Sequence, residues 1–121
     1  MEITQTLYVT TREEFRQWLE KNHAKKKESW LVIYKKATHT PCIAYDDAVE
    51  EAICFGWIDG IMKSLDHEKY VQRFCPRRKG SNWTEINEEK ARRLVKEGKM
   101  TDAGKAMLPF DFWDDHQDGR A

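Results

Sequence analysis

The sequence predicts an α+β domain: a small antiparallel sheet of three to five strands, with helices packed mainly on one face. Residues 29–36, Ser-Trp-Leu-Val-Ile-Tyr-Lys-Lys, form a run of β-branched and aromatic side chains. Residues 57–77 hold two further strand-like runs joined by the polar stretch Asp66 to Lys69, a hairpin pattern. Around these lie segments with capping residues and apolar stripes at helical spacing. Balanced charge and a 40% apolar content at 121 residues fit one soluble domain able to fill a core. It is expected over residues 1–109, followed by an acidic aromatic tail at 110–121.

Leu7, Tyr8 and Val9 offer a first strand. Thr10 with Glu13, and Thr11 with Glu14, each fit a capping box, so a helix starts there. Phe15, Trp18 and Leu19 fall on its inner face, and the lysines from Lys21 to Lys27 suit its negative pole. In the strand at 29–36, Trp30, Val32 and Tyr34 share one face while Leu31 and Ile33 share the other. Both faces are apolar, which predicts a central position. After a loop containing Pro41, Tyr45-Asp46-Asp47 opens a second helix. Ala48, Val49, Ala52, Ile53 and Phe55 bury its inner side, and Gly56 closes it.

The hairpin strands are expected at Trp57–Leu65 and Tyr70–Arg77. Gly60 inside the first signals a bulge, a bend or a close approach. A basic loop from Arg78 to Ser81 leads to Trp83. Asn87 is the expected cap of a third helix with Ala91, Leu94 and Val95 inside, ended by Gly98. Thr101 caps a last short helix through Met107, before Pro109. Phe110, Phe112 and Trp113 sit in the tail, which carries Asp111, Asp114, Asp115 and Asp118.

Several function classes are disfavoured. Zero net charge, 21 basic against 21 acidic residues, argues against a dedicated nucleic-acid binder. Nothing resembles a signal peptide or a stretch of roughly 20 apolar residues, so no membrane insertion is expected. Cys42, Cys54 and Cys75 lack paired spacing and read as reduced thiols of a cytoplasmic protein. His23, His39, His67 and His116 are scattered, so neither metal nor cofactor is expected. No P-loop, G-x-S-x-G or G-x-G-x-x-G motif occurs.

The chemistry concentrates between Phe55 and Trp83. Strand alternation puts Trp57, Asp59, Ile61 and Lys63 on one face unless Gly60 bulges it; Val71, Arg73, Cys75 and Arg77 share a face of the next strand. If these faces coincide, Asp59 and Lys63 lie opposite Arg73 and Arg77. One reading is a salt-bridge lattice on an exposed sheet. The other is a pocket in which the arginines hold a small anionic or planar ligand between Trp57 and Trp83. The candidate ligand-binding set is therefore Trp57, Asp59, Lys63, Arg73, Arg77 and Trp83. A binding module is the leading expectation. An enzyme with Asp59 as general base is the alternative. A weak nucleic-acid binder using Arg77, Arg78 and Lys79 with stacking tryptophans ranks third.

These residues also carry a family likeness. Gly56-Trp57-Ile58-Asp59-Gly60, Tyr70 with Arg73-Phe74, Pro76-Arg77-Arg78, and Ser81-x-Trp83-Thr84 with Asn87 recur in order. With Trp30 to Lys36, Tyr45 to Ala52 and Lys96 to Gly104, the sequence resembles the YdeI/OmpD-associated, or bacteriocin-protection, family over most of residues 7–105. The resemblance implies a bacterial cytosolic protein linked to envelope stress and antimicrobial-peptide tolerance. It implies no particular reaction. Its motif falls on Trp57, Asp59, Arg73, Arg77, Ser81, Trp83 and Asn87. Members of that family often carry a further helical C-terminal part, whereas this chain ends at Ala121.

Overall fold

The computed structural model describes residues 2–113. The element order is β1 (Thr6–Leu7), α1 (Arg12–Asn22), β2 (Ser29–Tyr34), a 3₁₀ turn (Lys36–Thr38), α2 (Tyr45–Cys54), β3 (Trp57–Ser64), β4 (Lys69–Pro76), α3 (Glu85–Lys96) and α4 (Asp102–Lys105). The class is α+β, with a four-stranded sheet in the order β1-β2-β4-β3. The sheet is mixed, where the sequence suggested antiparallel pairing throughout. β1 runs parallel to β2, with Thr6 opposite Trp30 and Leu7 opposite Leu31. The reason is α1, which supplies the crossover that a parallel pair requires.

Local chemistry explains most helix boundaries. Thr11 caps α1 by accepting from the Glu14 N–H at 3.2 Å, while the Glu14 carboxylate accepts from the Thr10 N–H at 2.7 Å. Gly56 ends α2 at a φ of 76°, a left-handed conformation that suits glycine. Thr84, not Asn87, caps α3; the helix begins at Glu85, and the Asn87 N–H donates to Thr84 Oγ1 at 3.1 Å. Thr101 caps α4 and its hydroxyl donates to the Cys54 carbonyl at 2.6 Å, tying α4 to the end of α2.

The helices share one face of the sheet. The main core joins Phe15 and Leu19 of α1, Ala48, Val49, Ala52 and Ile53 of α2, and Ala91 and Leu94 of α3 with Leu31, Ile33 and Phe74 of the sheet. Trp30, Val32 and Val71 form a smaller cluster on the opposite face, partly covered by Ile3 and Tyr34. Phe112, assigned by sequence to the tail, is buried in the main core. The acidic residues Asp114, Asp115 and Asp118, with His116, lie outside the described residues.

Strand register decides the site. β3 pairs with β4 antiparallel, with Trp57 opposite Pro76 and Asp59 opposite Phe74, but then slips so that Met62 faces Gln72 and Lys63 faces Val71. Gly60 and Ile61 together oppose Arg73, which is a β-bulge. The buried Gln72 side chain spans it, its amide donating to the Gly60 carbonyl at 2.7 Å and the Ile61 carbonyl at 3.3 Å. A one-residue slip moves every later side chain to the other face. Asp59 therefore stays on the helix side with Phe74, while Lys63 joins Val71 on the opposite side.

Candidate functional site

The six residues singled out by sequence part company. Trp57 is 1% exposed and meets Trp18 edge-on, with ring centres 5.8 Å apart, so it is core and not a ligand wall. Arg73 lies opposite Trp30, on the face away from the helices, and its Nε donates to Glu28 at 2.7 Å. The Thr4 hydroxyl and Arg73 together hold the Glu28 carboxyl below its ordinary range. Lys63 is carried to that same face by the bulge. Arg73 and Lys63 are thus separated from Asp59 by the sheet itself. The expected facing of Asp59 and Lys63 with Arg73 and Arg77 is not what the chain builds: register sets Asp59 opposite Phe74 and so away from Arg73, and the bulge then moves Lys63 to the Arg73 face.

Asp59, Arg77 and Trp83 remain on the helix side. The Tyr45 hydroxyl donates to Asp59 Oδ2 at 2.6 Å. Burial and this bond to a carboxylate push the Tyr45 phenol well above its usual range, so it stays a protonated donor. Tyr45 escaped the sequence reading. Nothing near it in the chain marks it as Asp59's partner; only the packing of α2 beside β3 brings them together.

Arg77 sits just past β4 and is 4% exposed. Its N–H donates to the Gly56 carbonyl at 2.8 Å, which anchors the backbone. Its guanidinium lies 3.6 Å from the centre of the Trp83 ring, a cation–π stack. Nη1 donates to Ser81 Oγ at 3.1 Å and to the Asn82 carbonyl at 3.3 Å. Nε is buried without a partner. Among the described residues no carboxylate forms an ion pair with this side chain, although Asp59 is near enough for its charge to oppose the effect of burial. Burial lowers the Arg77 pKa to about 10, still far above neutrality, so the group is a buried cation. Trp83 is fixed in turn by its indole N–H, which donates to the Met107 carbonyl at 3.2 Å.

Two hollows flank this centre. One of about 320 Å³ opens over Ser81 and is lined by Lys79, Lys105, Met107, Phe110 and Trp113. The other, about 570 Å³, lies between β2 and the start of α2, lined by Tyr34, Lys35, Lys36, Cys42, Tyr45 and Tyr70. A further charged cluster is fully paired and reads as framework. Glu51 is 3% exposed and receives Arg12 at 2.7 Å and Arg16 at 3.0 Å. Arg12 also reaches Glu50 at 2.9 Å and Asp47 at 3.1 Å. Among the described residues no three His, Cys, Asp or Glu side chains converge as metal ligands, and no helix is long and apolar enough to cross a membrane.

Fold and site define an α+β domain whose distinguishing feature is a buried, tryptophan-stacked arginine at the end of a bulged hairpin. Residues 7–107 match the profile of a domain of unknown function, DUF8412, and the chain belongs to that family. No curated protein and no solved structure matches it.

Proposed function

We propose that this protein is a binding module for a small anionic ligand, held in the hollow over Ser81. The observation that carries the reading is Arg77: a nearly fully buried cation with no ion-pair partner among the described residues. A buried charge left unpaired is costly, and protein interiors normally supply it a counter-charge. A bound anion would be that counter-charge. Ser81 passes the effect outward. Its oxygen accepts from Arg77, which leaves its own hydroxyl proton free to donate to an anion in the hollow. Lys79 and Lys105 add positive charge at the rim, and Trp113 and Met107 offer apolar walls for a planar portion.

Thermal denaturation with sulfate, phosphate and small carboxylates at constant ionic strength tests this. A binding anion at tenfold excess over its Kd adds about 1.4 kcal/mol of stability. Arg77→Met and Ser81→Ala should lose that increment. Equal stabilisation of wild type and both variants would mean that the anions act elsewhere, and the reading would fail. The resemblance to the YdeI/OmpD-associated family supports placing this role in antimicrobial-peptide tolerance within the cytoplasm. Bacteria relying on the Arg77→Met variant should then survive peptide challenge no better than cells lacking the protein.

A further inference from the structure

We infer that the larger hollow, on the Tyr45 side of Asp59, is a second and separate site that takes a small aromatic carboxylate. At about 570 Å³ it has room for a single-ring ligand, and its composition is specific. Ile33 and Ile43 are buried and floor it with apolar surface. Tyr45 and Tyr70 border that floor with aromatic rings, the partners an aromatic ligand prefers. Tyr34 reaches the edge of the hollow, but its ring packs with Trp30 and Val32 on the sheet's other face, edge-on to Tyr8 at 5.7 Å.

The polar groups select the ligand's charge. Tyr45 is committed, because its hydroxyl is spent on Asp59. Among the described residues the Tyr70 hydroxyl makes no hydrogen bond, and burial pushes its phenol pKa up, so it is an available donor. Lys35 and Lys36 are exposed, line the same space, and form no ion pair among the described residues. Among the described residues Asp46 is the one acid on the wall, and Lys90 reaches it at 3.8 Å from α3. One uncommitted phenol donor and two uncommitted ammonium groups over an apolar aromatic floor fit an aryl ring bearing a carboxylate. A neutral ring leaves the lysines unused, and a cation meets them as repulsion.

The test is isothermal titration of the purified protein with 4-hydroxybenzoate at fixed ionic strength, beside 4-hydroxybenzamide and cyclohexanecarboxylate. Saturable binding of 4-hydroxybenzoate is expected, with the neutral amide about tenfold weaker or worse, since a hydrogen bond to a charged group contributes on the order of a tenfold factor, and the non-aromatic acid weaker by up to about tenfold, since it gives up the ring contacts with Tyr45 and Tyr70. Tyr70→Phe, which keeps the ring, and Lys35→Ala with Lys36→Ala, both exposed, should each weaken binding about tenfold without altering the fold. Lys25→Ala with Lys26→Ala removes the same charge beyond the end of α1 and should leave binding unchanged. The inference is overturned if no saturable binding is seen at 10 mM (about −2.7 kcal/mol), if the amide binds as well as the acid, or if the Tyr70 and Lys35/Lys36 variants bind like wild type.

Discussion

Replacing Arg77 with methionine separates a ligand-anchoring role from a structural one. Methionine keeps much of the side chain's length and apolar contact but removes the charge. Displacement of the arginine from its ordinary pKa down to about 10 means that the cation is roughly 3 kcal/mol less favoured in the fold than in the unfolded chain, at ~1.4 kcal/mol per tenfold. That penalty vanishes in the variant. Against it stands the loss of the Trp83 stack, about 2 kcal/mol for a desolvated pair. Two hydrogen bonds from Nη1 are also lost, about 1 kcal/mol each net. These contributions nearly cancel, so Arg77→Met should change the urea-derived stability by less than about 1–2 kcal/mol, despite near-complete burial.

The pH dependence supplies a second readout. A base whose pKa is lowered on folding binds fewer protons in the folded state, so its contribution improves as pH rises. Wild type should gain on Arg77→Met as pH passes through about 10. Chemical denaturation of both proteins at neutral pH and about one pH unit above that value measures the difference, about 1.4 kcal/mol, and groups common to both cancel. A loss above about 3 kcal/mol at neutral pH would show that Arg77 clamps the fold together. The reasoning from an unpaired buried charge would then be refuted.

Other consequences follow from geometry. Glu51→Gln weakens the hydrogen bonds of Arg12 and Arg16, but Arg12 keeps Glu50 and Asp47 and both arginines stay part-exposed, so it should cost about 1–3 kcal/mol in urea denaturation. Gly104→Ala should destabilise by about 2–3 kcal/mol or prevent folding, because a Cβ there would lie 2.3 Å from the Cys54 carbonyl oxygen. Asp66 accepts the N–H groups of Glu68 and Lys69 and the Lys69 ammonium in the hairpin turn, which holds its carboxyl down at about 2. Its stabilising effect is therefore present above the unfolded value of about 4 and lost as pH falls through about 2. Wild type and Asp66→Ala should accordingly converge in acid melts.

Much of the framework was written locally. Thr11 and Thr101 cap helices because a side-chain oxygen can reach an N–H three residues ahead, a matter of neighbours alone. Gly56 and Gly98 close helices because the left-handed turn suits them best. The turn from Asp66 to Lys69 and the apolar run at 29–34 likewise placed a hairpin and a central strand. The third helix was legible too, but Thr84 and Asn87 are both competent caps, and where the helix begins decided between them.

Tertiary structure alone decided the rest, because it turns on partners remote in the chain. The parallel placing of β1 depends on where α1 docks. Glu28 claimed Arg73 from 45 residues away, and Tyr45 claimed Asp59 from 14. The fate of Lys63 hung on a bulge that Gly60 hinted at, but whose one-residue slip appears only when Gln72 of the neighbouring strand bridges it. Alternation along a strand names two faces without saying which meets the helices. That choice is a sum over packing contacts across the whole chain, and it left Arg77 against Trp83, buried and without an ion-pair partner among the described residues.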